Sequence, residues 1–258
     1  MSEQTWKTAI TKIEPNKIVV RGYQLDQLMG KFSYPQMIYL LIKGELPTKN
    51  VGKILDAILV SSVDHGLTPP SCQAAVTVAS TGAPLNAALA SGLLAINEFH
   101  GGAIEKSMRT LQEGVELMNT EKLTTQEAAE RIVKEYSEKK KKIMGYGHRW
   151  HTNDPRTARL FHLANEYGIS SKYIQLSQAI RQALHKLKGK DLPINVDGAI
   201  GAVLCELNIP SELANAFFMM ARIPGLVAHV YEEKKRYKPM RKIDFSKAEY
   251  DGPKERDI

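Results

Sequence analysis

Three short segments carry side chains that helix packing alone does not require. Phe99-His100-Gly101-Gly102-Ala103 sets an imidazole beside two glycines at a helix junction. Gly145-Tyr146-Gly147-His148-Arg149 is a glycine-rich loop with His151, Asp154 and Arg156 close behind, and Asn195-Val196-Asp197-Gly198 places a carboxylate at the start of an apolar stretch. Glycines let backbone N–H groups approach an anion, and His and Arg supply donors that suit phosphate or carboxylate. Each segment also has a plainer reading. A glycine pair can end a helix beside an incidental His, Gly-X-Gly is common, and an Asp at a helix start can simply satisfy backbone N–H groups. Two further clusters sit among apolar residues, Asp64-His65-Gly66 and the stretch from Ala221 to His229 that contains Arg222. Arg is seldom buried without a partner, so Arg222 faces either a core carboxylate or an anionic ligand. Three His, an Asp and several Arg at helix ends and glycine junctions form the inventory for binding a polycarboxylate and moving protons about it.

Metal chemistry has no sequence support. There is no His-Glu-X-X-His or Cys-X-X-Cys, and Cys72 and Cys205 lack paired ligands. Nor is there a Gly-X-X-X-X-Gly-Lys phosphate loop or a Gly-X-Gly-X-X-Gly fingerprint.

The elements that must position these groups are nearly all helical. Thr8-Ala9-Ile10 and Ile18-Val19-Val20, separated by Glu14-Pro15-Asn16-Lys17, predict a small N-terminal β-hairpin within residues 7–22. After it the apolar spacing predicts helices over 35–43, 51–63, 71–80, 84–99 and 103–118. The low bulk of the 84–99 segment predicts a buried, closely packed helix. Thr124 and Glu127 form a capping box for the next helix, whose Lys139 to Lys142 end reads as solvated cations at a favourable helix terminus. Later helices start at Asp154-Pro155, Ser170-Ser171, near Asn195 and at Ser211-Glu212, and the residues after Lys234 read as irregular.

The chain has 258 residues, with 35 Lys and Arg against 28 Asp and Glu, a net charge of +7. With 43% hydrophobic and 24% charged residues it reads as one globular domain over 1–258, with room for a small mobile subdomain around 150–220. No apolar run approaches the ~20 residues of a membrane span, and no signal-like stretch opens the chain, so a cytoplasmic protein with buried thiols and no membrane partner is expected. The basic charge raises nucleic-acid binding as a competing class. No aromatic-interleaved basic stripe or nucleic-acid module supports it, and no nucleic-acid partner is expected.

The order of the segments resembles the citrate synthase superfamily. The residues that carry the resemblance are Arg21-Gly22-Tyr23-Gln24-Leu25, the run from Tyr39 to Thr48, Asp64-His65, Ser80-Thr81-Gly82, His100-Gly101-Gly102-Ala103, Gly145-Tyr146-Gly147-His148-Arg149, Asp154-Pro155-Arg156, Asn195-Val196-Asp197 and Ala221-Arg222-Ile223-Pro224-Gly225. It runs from the hairpin to about residue 241. Full-length synthases normally carry a long helical insertion where this chain has one short helix between Pro47 and Asp64. That shortening makes the chain similar to citryl-CoA lyase and to the C-terminal lyase module of ATP-citrate lyase. His100 points the other way, since it matches the synthases and not the ATP-citrate lyase module.

The resemblance implies a shortened all-α citrate synthase-like fold with a small N-terminal hairpin. It implies cleavage of citryl-CoA to acetyl-CoA and oxaloacetate, of the kind used in a reductive citric acid cycle. The alternative is a short citrate synthase or 2-methylcitrate synthase-like enzyme that condenses an acyl-CoA with oxaloacetate. Asp197 would exchange the acetyl methyl proton, His100 stabilise the thioester enol, and His148 serve the citryl hydroxyl or oxaloacetate carbonyl. His65, Arg156 and Arg222 would hold carboxylates; the His148 to Arg156 spacing is one residue shorter than the usual synthase pattern, which keeps Arg159 as a substitute. Gly145, Tyr146, Gly147, Arg149, Lys188 and Lys190 would bind the coenzyme A thioester, which is a substrate; no tightly bound cofactor and no metal is implied. Arg241 matches the arginine that a partner subunit contributes, so a homodimer is the smallest assembly expected.

Overall fold

The computed structural model describes residues 6–147, 152–242, 245–247 and 249–257. They are mostly helical and form two compact units, residues 1–64 with 96–223, and residues 65–95 with 224–258. The expected mobile subdomain around 150–220 lies within the first unit.

In the first unit, β1 (Thr11–Glu14) pairs antiparallel with β2 (Lys17–Val20), with Glu14 opposite Lys17. Strand one therefore begins three residues later than Thr8, because the two-residue turn at Pro15-Asn16, with Asn16 at φ 58°, fixes the register. Arg21 and Gly22, both at positive φ, turn the chain again into β3 (Tyr23–Gln24), a strand the alternation did not reveal. Short α1 (Leu25–Leu28) follows, then α2 (Tyr34–Lys43), opened by a capping box of Ser33 and Gln36 and closed by left-handed Gly44. Thr48 caps α3 (Lys49–Ser61), the one helix in the segment between Pro47 and Asp64.

The remainder of this unit is built round one buried helix. Packed against it are α6 (Ala103–Thr120), α8 (Pro155–Glu166) and α9 (Lys172–Lys188), while α7 (Thr125–Glu138) packs on α6 and α9. The central helix is α10 (Val196–Glu206), buried along nearly its whole length. Its small residues set the spacing: a Cβ on Gly201 would come within 3.2 Å of Ser107 Oγ. At its far end Glu206 Oε1 accepts the N–H groups of Ser171, Tyr173 and Ile174 at 2.9 to 3.1 Å, capping α9 from another helix.

In the second unit, α4 (Pro70–Ser80) packs on α5 (Leu85–Leu94) around Cys72, Ala75, Val76, Ala79, Ala88, Leu226 and Val230. Helix α5 ends five residues before Phe99, and its expected burial is not met. Only Ala88 and Gly92 are buried in it, whereas Leu85 is 46% and Leu94 77% exposed. Ala88, Gly92 and the partly buried Leu89 face the cluster shared with α4, and Leu85 and Leu94 lie outside it. The last long helix, α11 (Ala214–Arg236), follows a 3-10 turn at Ser211–Leu213, contains Pro224, and passes from the first unit to the second at that proline. By length and composition the stretch could cross a membrane, but Phe217 and Ala221 are buried in the core of the first unit and Leu226 and Val230 in that of the second.

Candidate active site

Two of the motifs meet at the start of α10. The loop from Ile143 to Gly147 runs beside Pro193 to Asn195: Gly147 N–H donates to Pro193 O at 2.7 Å, Asn195 N–H to Gly145 O at 3.0 Å, and Asn195 Nδ2 to Gly147 O at 2.8 Å. Asn195 also caps α10, its Oδ1 accepting Gly198 N–H at 3.1 Å. Gly145 is at φ +89° and lies so close to α10 that a Cβ there would fall 2.7 Å from Gly198 Cα, so glycine is required on both counts. The Tyr146 hydroxyl donates to Ser177 O on α9 at 3.0 Å, and burial raises its pKa above the ordinary phenol range.

Asp197 stands in the first turn of α10, partly open, with its carboxyl pKa pushed up to about 6 by desolvation. Arg156 and Arg222 act to lower it, and Asp154 to raise it. Asp154 is fully buried at the N-cap of α8. Its carboxylate accepts Arg156 N–H at 3.0 Å, Arg156 Nε at 3.0 Å and Nη2 at 2.9 Å, and Val196 N–H at 3.2 Å. Burial opposes its ionisation, but the bonds and charge of Arg156 outweigh that and hold the carboxyl below its usual range. Arg156 thus lies beside Asp197's helix, while Arg159 is exposed on α8.

His100 belongs to a turn organised by Asn97, whose carbonyl accepts the N–H groups of His100 and Gly102, both at 3.0 Å. Its ring meets Phe218 edge to face, centroids 5.5 Å apart at 84°. Phe218 also meets Arg222, whose guanidinium lies 4.7 Å from the ring centroid. Arg222 is 4% exposed and donates through Nε to Ser62 O at 3.0 Å. Gly101 completes the packing, since a Cβ on it would come within 2.9 Å of Phe218 Cδ1. Phe218 went unnoticed in the sequence because a Phe in an apolar helix breaks no pattern.

The first unit therefore brings Arg156 and Arg222 within electrostatic reach of Asp197 and joins His100 to Arg222 through Phe218. His148 and Arg149 lie outside the described residues. His65 is exposed in the second unit, after α3. Arg241, also in the second unit, is held within its own chain: its Nε and Nη2 reach Glu233 Oε2 at 2.9 and 2.5 Å, and its N–H donates to Ser80 Oγ at 3.2 Å. Lys190 is exposed after left-handed Gly189, and Lys188 lines a cavity of about 220 Å³ with Lys140, Lys141, Lys142, Ile143 and Tyr136. The lysine run expected as a solvated helix end thus walls a concave, cationic space beside the glycine loop. No cluster of metal-ligating side chains occurs among the described residues.

Comparison with known proteins bears on the family and the fold. The family model described as citrate synthase, C-terminal domain, matches residues 2–52 and 47–242. Over 99% of this chain and 98% of the other, the structure superposes on citryl-CoA lyase from Hydrogenobacter thermophilus with a TM-score of 0.91 and 43% identity. ATP citrate lyase from Methanothrix soehngenii, solved with citrate and coenzyme A, shares the fold, with a TM-score of 0.87 at 22% identity over 99% of this chain and 43% of that one. Citrate synthase of Heyndrickxia coagulans is 32% identical over 213 residues, 80% of this chain and 54% of that protein. The chain spans about half the length of the curated relatives it matches. With its motifs in order on this fold and the family model covering nearly all of its length, the chain belongs to the citrate synthase family.

Proposed function

We propose that the protein is a citryl-CoA lyase that cleaves citryl-CoA to acetyl-CoA and oxaloacetate. The observation that carries this reading is the end-to-end likeness to the Hydrogenobacter enzyme, with both chains covered almost completely at 43% identity. In the reaction a base takes the proton of the citryl tertiary hydroxyl, a role the resemblance gives to His148. The alkoxide collapses to the ketone of oxaloacetate, the adjacent carbon–carbon bond breaks, and its electron pair becomes the enolate of acetyl-CoA. His100 donates to the thioester oxygen as charge develops there. Asp197 then delivers a proton to the enolate carbon, giving the methyl group. A carboxyl with a pKa of about 6 is well suited to this, because it carries its proton in an appreciable fraction of molecules near neutral pH.

Arg222 and Arg156 supply cations for the substrate carboxylates, with His65 and Arg241 as further holders by resemblance. The lysine-lined cavity next to the glycine loop supports a polyanionic coenzyme A thioester as substrate. The exposed Leu85 and Leu94 of α5 support self-association, in keeping with a homodimer or larger homo-oligomer.

A second reading is a short citrate synthase, favoured by the names of the relatives at 28 to 32% identity and by His100. Initial rates with citryl-CoA, and separately with acetyl-CoA plus oxaloacetate, test the two. Rapid release of oxaloacetate from citryl-CoA is expected, and efficient net citrate formation from the second mixture would favour the synthase.

A further inference from the structure

We propose that Asp154 is a positioning residue for Asp197, its buried carboxylate tying Arg156 and the first turn of α10 into one frame. The inference rests on the lyase reading only for the role of Asp197 in proton transfer. An ordinary N-cap needs a single acceptor for a backbone N–H of its own helix, which a Ser or Asn supplies as well. Asp154 does more. It accepts the N–H of Arg156 on its own helix, both Nε and Nη2 of that side chain, and the N–H of Val196 on a different helix. Val196 is the residue before Asp197, so its N–H fixes the backbone from which the Asp197 side chain leaves. Arg156 is fixed by the same carboxylate, and its Nη1 is not used by Asp154. A fully buried carboxylate is retained in a core only with such compensation, which makes the unit all or nothing.

Among the described residues, the charged groups that act on Asp197 are Arg156 and Asp154 from the start of α8 and Arg222 from α11. The glycine loop meets α10 through the backbone of Gly145, and α6 meets it through Ile104 and Ser107. At the opposite end of α10, Cys205 and Glu206 act on Tyr173 of α9. Removing the negative charge of Asp154 therefore leaves two cations to favour ionised Asp197, and removing Arg156 leaves Asp154 uncompensated beside it.

The test follows the Asp197 carboxyl by ¹³C NMR in aspartate-labelled protein, with the signal assigned by its loss in Asp197→Asn. In Asp154→Asn, which keeps an acceptor for the backbone N–H groups, the Asp197 midpoint should fall by about half a pH unit or more. The acid limb of citryl-CoA turnover should move with it. In Arg156→Gln the midpoint should rise. A folded Asp154→Asn protein whose midpoint stays within about 0.2 unit, with only its Tm lowered, would reduce Asp154 to a helix cap and overturn the proposal. If Asp154→Asn does not fold, Arg156→Gln decides alone, and a midpoint that fails to rise overturns it equally. Midpoints that move as expected in protein without lyase turnover would uphold the positioning role and contradict the lyase reading.

Discussion

In the proposed cleavage Asp197 holds a proton beforehand and gives it up to the enolate, and a pKa raised to about 6 suits both steps near neutral pH. Asp197→Asn should lower turnover ~10²- to 10⁴-fold while coenzyme A binding, measured by calorimetry, stays near wild type. The same shift has a stability sign. Because the folded pKa lies above the ordinary carboxylate value, the folded protein binds the proton more tightly than the unfolded chain. Stability from this group is then greatest at low pH and is lost as pH rises towards about 6 and the carboxylate ionises. The Tm of Asp197→Asn relative to wild type should therefore climb between about pH 4 and pH 6 and level off above that, and a constant difference would contradict the raised pKa. At Arg222 the expected cost of Ala is ligand-selective: oxaloacetate or citrate binding weakens by about 1.5 to 3 kcal/mol, and coenzyme A binding much less. Equal losses for both ligands would make Arg222 a structural cation held by Ser62 O and Phe218. His100, Asp197 and Arg222 were legible in the sequence because each is a polar group where apolar packing predicts none. Phe218 and the second bond of Asp154 were not, since one looks like core and the other like a cap.

Among the elements, α10 shows why the site is so localised. Its glycines let the Gly145 loop and α6 approach, its N-cap Asn195 also grips Gly147, and its last residue caps α9. Glu206→Ala removes an acceptor shared by Ser171, Tyr173 and Ile174 at the start of α9, and should cost about 1 to 2 kcal/mol in urea unfolding. An unchanged midpoint would mean that water replaces the carboxylate there. Helix boundaries with strong local signals were predictable: Thr124 with Glu127, and Asp154 before Pro155, start helices as read, while the capping box of Ser33 and Gln36 starts α2 one residue ahead of the expected Pro35. The third strand depended on two residues at positive φ, and Glu206 reaches α9 across 32 to 35 positions of sequence, a pairing that no local pattern carries. Low side-chain bulk in α5 reported its close approach to α4 but not the exposure of Leu85 and Leu94.

At the scale of the whole molecule, the chain keeps the family's ordered motifs while α3 alone occupies the segment after Pro47. A synthase must hydrolyse its citryl thioester in a site that closes round the substrate and activates water, whereas a lyase gains when water is kept from that bond. The resemblance implies that a helical insertion of the synthases is missing after Pro47, and it is this implied shortening that ties the sequence to the proposed chemistry. Product partition from citryl-CoA tests this most directly. With malate dehydrogenase and NADH trapping oxaloacetate, and citrate assayed in parallel in the same tube, the account predicts oxaloacetate and acetyl-CoA as the main products; citrate as the main product would contradict it.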